Sequence, residues 1–584
     1  DNINTEQVAK NLELDTNAGN FEELLDQKLN EIYDNILLGD TKSSFVSRPP
    51  ESGGIKMRGS EHRILVFKDA QSWLNYNNQF GKNPQDILSQ YMDHAAMDIA
   101  FLKTMGPSVH TNAIKLNQFA KDFDKRNGIK ALNIGGSKFE RVMDHLSGKE
   151  YSTGFNNSGS DTLSFLGSET RAFLVSAQLG SAYIMTLADQ TFGALTRILI
   201  GMPAAKGVGN YMRFIKNSKN SKILAREAGV VAHEITEDLK NAGRLAGEQF
   251  GDGPMSWMAQ KLMKVSLLTP GTTAARTSFK FEFQFHLTKI AQTNYNLLDD
   301  KTLFMYKRYN ITKADHDALA KTKMYKSRYD RKVQYKRIGD IENPEARQKF
   351  YSFMFAETET AVPTIMARSR SAMMNNTRRG TAQGEINRSF WLFKNFPMTI
   401  MYTQIARAIN VTMTHPNVSM RVGYASGLIV GTTLTGTVLN NVREIIKGEE
   451  PSPINKATLG RGLMYGGGLG IFGDFFLHDT SKFGRSAMSS LAGPMFGLIN
   501  DISSLGLNRL HGSLYENDAK VEKLPAELIT FAKRYTPYNN LWFTRAATDR
   551  LIFENLSRTF DPDYKKKQKK YRKRLEKERR DVWL

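Results

Sequence analysis

Apolar residues recur at helical spacing along most of this chain. Phe21, Leu24, Leu25, Leu29, Ile32 and Ile36 fall three or four apart between acidic residues, which predicts an amphipathic helix with an acidic outer face. Trp73, Tyr76 and Phe80, then Ile87, Leu88, Tyr91, Ala95, Ile99 and Leu102, carry the same period from Glu61 to Lys103, and Gly106-Pro107 breaks it. Residues 110–147 read as two more helices that separate near Gly135-Gly136. Arg171 to Met202 is long, apolar and rich in alanine; it reads as a core helix or helix pair, with a membrane-active helix as the alternative. Residues 243–300 continue the amphipathic pattern, with Trp257 as a core candidate. Within them Phe279, Phe281, Phe283 and Phe285 alternate with Lys280, Glu282 and Gln284, which fits either a short strand or an aromatic-rich helix. Thr381 to Asn410 reads as a helix that Pro397 should kink, and residues 523–560 as two further helices. The predicted fold class is mainly α, an extended multi-helix architecture with little β.

One stretch, Arg421 to Leu507, stands apart. It holds three apolar segments with small residues four apart. Val422–Val442 places Gly423, Gly427 and Gly431 on one helical face; Ala457–Leu477 does so with Gly462, Gly466 and Gly470; Ser486–Leu507 does so with Ser489, Gly493 and Gly497. A glycine ridge lets two helix backbones approach, which is how helices associate in lipid, whereas in water each glycine costs about 1 kcal/mol against alanine. The pattern supports helices that pack in or on a membrane, or else a tight glycine-rich core. Constitutive spans are poorly matched: Thr432, Thr433, Thr435 and Thr437, then Arg461 and Asp474, then Pro494 and Asp501 interrupt the apolar runs. Insertion after storage in a soluble form fits that marginal character.

Boundaries follow from breaks in the pattern. Residues 1–60 hold the acidic helix and a linker around Arg48-Pro-Pro-Glu51. Residues 61–150 and 151–300 form helical domains, the second containing the apolar 171–202 helix. Residues 301–380 form a basic helical region, 381–520 hold the glycine-rich, membrane-active candidates, and 521–584 carry the last helices and a basic tail.

Charge sharpens the choice of partner. The 584 residues carry a formal net charge of +21, which favours a polyanion: nucleic acid or an anionic membrane surface. Lys326, Arg328, Arg331, Lys332 and Lys336 lie among Tyr306, Tyr309, Tyr325, Tyr329 and Tyr335, a mixture suited to phosphate contact with base stacking, or to a solvated helical face over packed tyrosines. The tail Tyr564–Arg580 has eleven Lys and Arg, including Lys565, Lys566, Lys569, Arg572 and Arg574, against Glu576 and Glu578; anionic lipid or DNA is its expected partner. Cysteine is absent, which excludes disulfide and thiol chemistry. The first residues are polar and acidic, so no signal peptide is expected there, and a chain that begins at Asp1 is expected to be processed or to belong to a longer polypeptide.

Candidate catalytic chemistry is weak. Glu51-Ser52 resembles the Glu-Ser pair of lytic transglycosylases, but two prolines precede it where that pair needs a helix. His233-Glu234 begins a zincin pattern whose second histidine is replaced by Glu237. His94 between Asp93 and Asp98 reads as a solvated polar face, and Gly207-Val-Gly209 lacks the strand and third glycine of a dinucleotide loop. No catalytic, cofactor or metal residues are assigned, and a non-enzymatic protein is expected.

Several stretches taken in order resemble the large internal virion, or ejection, proteins of short-tailed phages, some of them described as large polyvalent proteins. They are Arg63-Ile-Leu-Val-Phe-Lys-Asp69 with Trp73 and Tyr76-Asn77, Leu179-Gly180 through Gly201-Met-Pro203, Gly380-Thr-Ala-Gln-Gly-Glu385 before Phe393-Lys-Asn-Phe-Pro397, Gly467-Gly-Leu-Gly-Ile-Phe-Gly-Asp474, Leu491-Ala-Gly-Pro494, and Leu541-Trp-Phe-Thr-Arg-Ala-Ala-Thr-Asp-Arg-Leu551. The resemblance covers about residues 60–584. It implies a protein packed in the virion interior, near portal and other ejection proteins. It would leave with the viral double-stranded DNA and form, as a homo-oligomeric ring, part of a conduit across the host envelope. The alternatives are a structural capsid or portal-associated protein that meets no membrane, and a domain of a larger peptidoglycan hydrolase.

Overall fold

The structure is a computed structural model. It describes residues 4–12, 14–16, 19–38, 66–80, 101–106, 109–126, 159–186, 189–204, 253–326, 334–364, 380–465, 493–514, 518–578 and 580–581, with positions 95, 99, 207, 209, 211–212, 373–374 and 377. The chain divides into two compact units, Asp1–Leu166 with Met374–Glu385, and Gly167–Met373 with Ile386–Leu584. Helices dominate both, as the periodicity predicts, and two short strands are the β-structure among the described residues.

In the first unit α1 (Thr5–Asn11) and α2 (Phe21–Leu38) bury Val8, Leu12 and Leu25 together, with Leu14, Phe21, Leu29 and Val66 against them. The predicted acidic helix is α2. Asn4 starts α1 by accepting the Gln7 amide. Asp69 accepts the Ser72 amide at 2.7 Å at the start of α3 (Ala70–Phe80), and α4 is Val109–Arg126.

The second unit begins within α5 (Gly159–Gln178) and continues through α6 (Ala182–Met185) and α7 (Asp189–Leu199). α8 (Pro254–Val265) packs Ala259 and Met263 with Leu174 and Val175 of α5, and a larger core gathers around α9 (Leu268–Ile290), α10 (Asp300–Arg308), α11 (Lys313–Lys321) and α12 (Pro344–Ala361). The phenylalanine run is helical. Phe279 and Phe283, four apart, are fully buried, while Phe281 and Phe285 cover the opposite side with rings 5.6 Å apart. A helix packed on both sides accepts the alternation that would otherwise mark a strand. Phe283 meets Phe353 of α12 edge-on at 4.7 Å, and Tyr309 stacks on Phe353 at the same distance.

Residues 301–380 contain an antiparallel hairpin that the sequence reading assigned to helix: β1 (Met324–Lys326) pairs with β2 (Gln334–Lys336). Its backbone is held from outside the pair, because the Lys336 amide donates to Thr288 and the Lys336 carbonyl accepts from Gln284 on α9.

The helix predicted over 381–410 is broken earlier than expected. α13 (Ala382–Trp391) ends before Phe393, which sits at φ 68°, and α14 (Asn395–Ile400) restarts with Pro397 in its first turn. A proline there has no intrahelical amide bond to lose, so the helix restarts around it without a kink. A π-helical turn (Met401–Ile405) leads into α15 (Ala406–Thr414). Arg407 of α15 and Glu357 of α12 form a buried ion pair at 2.5 Å, and the Tyr309 hydroxyl donates to the same carboxylate at 2.7 Å.

Asn417 accepts the Ser419 and Met420 amides to start the long α16 (Val418–Ile446), which turns at Gly448 into α17 (Lys456–Tyr465). After α18 (Pro494–Leu514) and α19 (Asp518–Tyr535), a helical run joins α20 (Arg545–Thr548), a π-turn (Asp549–Glu554) and α21 (Asn555–Phe560). The last described helix is α22 (Tyr564–Lys577).

Candidate functional site

α16 is packed at some positions and bare at others. Two of its glycines admit neighbours from the same chain. A Cβ at Gly427 would lie 3.0 Å from Leu195, and one at Gly431 would lie 2.6 Å from the Thr191 methyl, both on α7. The Thr191 hydroxyl donates to the Gly431 carbonyl at 3.2 Å. Gly462 of α17 is closer still, since a Cβ there would fall 2.6 Å from the Thr433 carbonyl oxygen and 2.8 Å from the Thr437 amide of α16. Glycine is needed here for backbone approach, and the helices that approach belong to one molecule. The ridge is therefore filled within the chain at Gly427, Gly431 and Gly462, the close packing expected of a tight glycine-rich core. Gly423, by contrast, faces open space.

The remaining ridge positions divide. Gly466, Gly470 and Ser489 lie outside the described residues. Gly493 is not on a helical face: it precedes α18 with φ 95°, and a Cβ would meet the Ser389 and Phe390 carbonyl oxygens at 3.0 and 3.2 Å. It supplies a left-handed turn against the α13 backbone. Gly497, in the first turn of α18, is buried.

Much of the apolar surface of α16 is bare. Val422, Ile429, Val430, Leu434, Val438 and Ile445 are 42% to 65% exposed. The helix is 29 residues long, roughly 44 Å at the standard rise, and its most apolar window has a mean hydropathy of 1.3 with 28% of it buried. That length and composition suffice to cross a bilayer. The threonines that lower its apolarity are satisfied within the helix: Thr432, Thr433, Thr435 and Thr437 donate to the carbonyls of Leu428, Ile429, Gly431 and Thr433. A hydroxyl bonded this way presents little unpaired polarity to an apolar neighbour.

The basic candidates also separate. Lys326 is exposed on β1. Arg328, Arg331 and Lys332 lie outside the described residues. Lys336 is buried, its ammonium donating to the Ala320 and Thr322 carbonyls at 2.8 and 2.5 Å, so it is a structural tie and not a phosphate ligand. Burial lowers its pKa. Among the interleaved tyrosines, Tyr306 and Tyr335 are buried and Tyr309 is committed to Glu357, so these rings are packing elements. Lys565, Lys566, Lys569, Arg572 and Arg574 are all exposed on α22, while Tyr571 and Leu575 turn inward.

α22 is fastened at its far end to the turn that follows α16. Arg580 reaches Glu449 at 2.8 Å, Glu444 at 3.3 Å and the Glu450 carbonyl at 2.8 Å. The Asp581 amide donates to the Glu450 side chain at 3.0 Å, and the Glu450 amide to the Asp581 carbonyl at 2.9 Å. The Tyr571 hydroxyl donates to Glu449 at 2.7 Å. Burial alone would lower the Arg580 pKa; Glu578, Glu444 and Glu449 outweigh it and raise it, so the guanidinium stays charged. The sequence pattern does not reveal this clasp. Nothing local signals it, since its halves are 131 positions apart.

His94, Glu51-Ser52 and His233-Glu234 lie outside the described residues. Among the described residues no group of three or more His, Asp or Glu side chains is gathered for a metal ion. Compared with known protein families, curated proteins and solved structures, the chain matches none.

Proposed function

We propose that this chain is a helical ejection protein of a short-tailed phage, stored in the virion and active at the host envelope during genome delivery. The identity rests on the ordered stretches that resemble that family. The observation that carries the membrane role is the partial cover of α16: Gly427 and Gly431 seat α7 and Thr433 and Thr437 meet Gly462 of α17, while valine, isoleucine and leucine side chains along the same helix are left open. Six such side chains at about half exposure are worth about 1 kcal/mol each when an apolar phase covers them. With Gly427, Gly431 and Gly462 occupied, assembly into a ring uses these open side chains or surfaces elsewhere, and the portal, other ejection proteins and viral DNA remain the expected partners.

Vesicle leakage by the full chain tests the role. Wild-type protein is expected to release dye from phosphatidylcholine vesicles, and Val430→Ser with Leu434→Ser and Val438→Ser to lose that activity while melting as wild type does. Undiminished leakage by the triple variant removes α16 from the membrane role, and no leakage from either protein favours a capsid or portal-associated structural role.

A further inference from the structure

Basic charge on α22 does not by itself distinguish DNA from lipid; the helical run before it does. Arg545–Phe560 contains a π-turn at Asp549–Glu554. The extra residue in that turn rotates the register, so Phe553 is buried while Leu551 and Ile552 point out, 71% and 49% exposed. Leu556 and Phe560 continue the exposed set at 39% and 53%. The run is locked in this rotation by Lys533, whose ammonium lies 3.0 Å from Asp549, and by the Tyr564 hydroxyl, which donates to Glu554 at 2.8 Å. α22 follows after a tight turn in which Lys567 pairs with Asp561 at 2.8 Å. Every Lys and Arg of α22 is exposed, because the stripe Tyr564, Gln568, Tyr571 and Leu575 takes the inward face.

We propose that the run Arg545–Phe560 and α22 together form an interfacial anchor for anionic phospholipid, with Leu551, Leu556 and Phe560 seated at the acyl boundary and the α22 cations among the headgroups. Charge complementarity selects an acidic surface, and the apolar set selects lipid within that class. Duplex DNA presents phosphates to lysine and arginine but offers nothing outside its grooves to a leucine–phenylalanine face. A bilayer interface takes both kinds of side chain at once. The inference rests on the reading that this protein meets a membrane, yet not on α16 crossing it. The Arg580 clasp adds a geometric consequence: the anchor is held beside the C-terminal end of α16, so that end is the one kept at the acidic leaflet.

Flotation of the full chain with vesicles tests it. On vesicles of equal parts phosphatidylcholine and phosphatidylglycerol, wild-type protein is expected to bind at least about tenfold more tightly than on phosphatidylcholine alone. Lys565→Gln with Lys566→Gln and Lys569→Gln is expected to erase that preference. Leu551→Ser with Leu556→Ser and Phe560→Ser is expected to bind at low salt and to be stripped by high salt that leaves wild type bound. All substituted side chains lie at the solvent surface, and an unchanged melting curve confirms the fold. Equal salt resistance of the apolar variant and wild type overturns the proposal. So does a duplex oligonucleotide that competes wild type off the mixed vesicles and binds the apolar variant equally well, which assigns the surface to DNA. Flotation and leakage of the wild-type protein on the same vesicles separate the two readings: anionic binding without leakage removes the α16 role and keeps the anchor, and leakage without anionic preference does the reverse.

Discussion

Thr191 lies against Gly431 with its methyl where a side chain would be and its hydroxyl donating to that glycine's carbonyl at 3.2 Å. The same hydroxyl is 3.1 Å from that of Thr435. This single contact shows how the glycine ridge of α16 is used: it seats α7. Leucine at Gly431 should therefore damage the fold itself, by about 1–3 kcal/mol of overpacking. At Gly423, where no atom stands within 4 Å of a built Cβ, alanine should stabilise the helix by up to about 1 kcal/mol. Thermal melting of Gly431→Leu beside Gly423→Ala checks the contrast; equal effects would show that the ridge is not packed as described.

At Gly462 the predicted response is steeper. An added Cβ would meet the Thr437 hydroxyl first and, just beyond it, the Thr433 carbonyl oxygen at 2.6 Å and the Thr437 amide at 2.8 Å, backbone atoms that cannot turn aside, so Gly462→Ala should force α17 away from α16. Hydrogen exchange should then accelerate across Thr433–Thr437 and Lys456–Tyr465, and unaltered protection there would contradict the close approach.

The Glu357–Arg407 pair sits 1% and 3% exposed, with Tyr309 completing the carboxylate's shell. Removing one partner leaves a buried charge. Arg407→Met is expected to cost about 3–5 kcal/mol, and the double change Arg407→Met with Glu357→Leu distinctly less than twice that. Urea melts of the two single variants and the double close the cycle, and additive losses would argue against coupling.

Acid should weaken the second unit through its histidines. Burial lowers the pKa of His286, whose Nε2 lies 2.8 Å from the Ile200 carbonyl, and of His415, whose Nδ1 accepts the Asn417 amide at 3.1 Å. Each protonates more readily in the unfolded chain, where the ordinary value is 6.5, than in the fold. Their contribution is therefore present above that value and is lost as pH falls below it. The melting temperature is expected to drop between neutral pH and mild acid, with a shallower drop in His286→Gln; an identical slope in that variant would remove His286 from the account.

Arg580→Ala should release α22 without unfolding the core. Glu444 keeps Ser452 and Asn440, with the Ser452 amide donating at 2.7 Å and the Asn440 side chain at 3.0 Å, so the turn after α16 retains its own bonds. Limited proteolysis is expected to cut within Tyr564–Lys577 far faster in the variant than in wild type. Comparable rates would mean that the clasp does not hold the basic helix.

Local pattern was enough to read the helical class, the amphipathic helix at Phe21–Leu38, the long apolar helix around Val422–Val442 and the exposed basic character of Tyr564–Lys577, because spacing along a helix and side-chain charge are properties of neighbouring residues. The same locality explains the misses. Phe279 to Phe285 could be strand or helix until two-sided packing chose helix, and Lys336 looks like any surface lysine until the carbonyls of Ala320 and Thr322 close around it. Small residues four apart state that something approaches Gly427, Gly431 and Gly462, but not what. That Leu195, Thr191 and the α16 backbone fill those positions, and that Arg580 finds Glu444 and Glu449, was decided by the tertiary structure alone, since burial and ion pairing depend on residues that meet in space though they are far from neighbours in the chain.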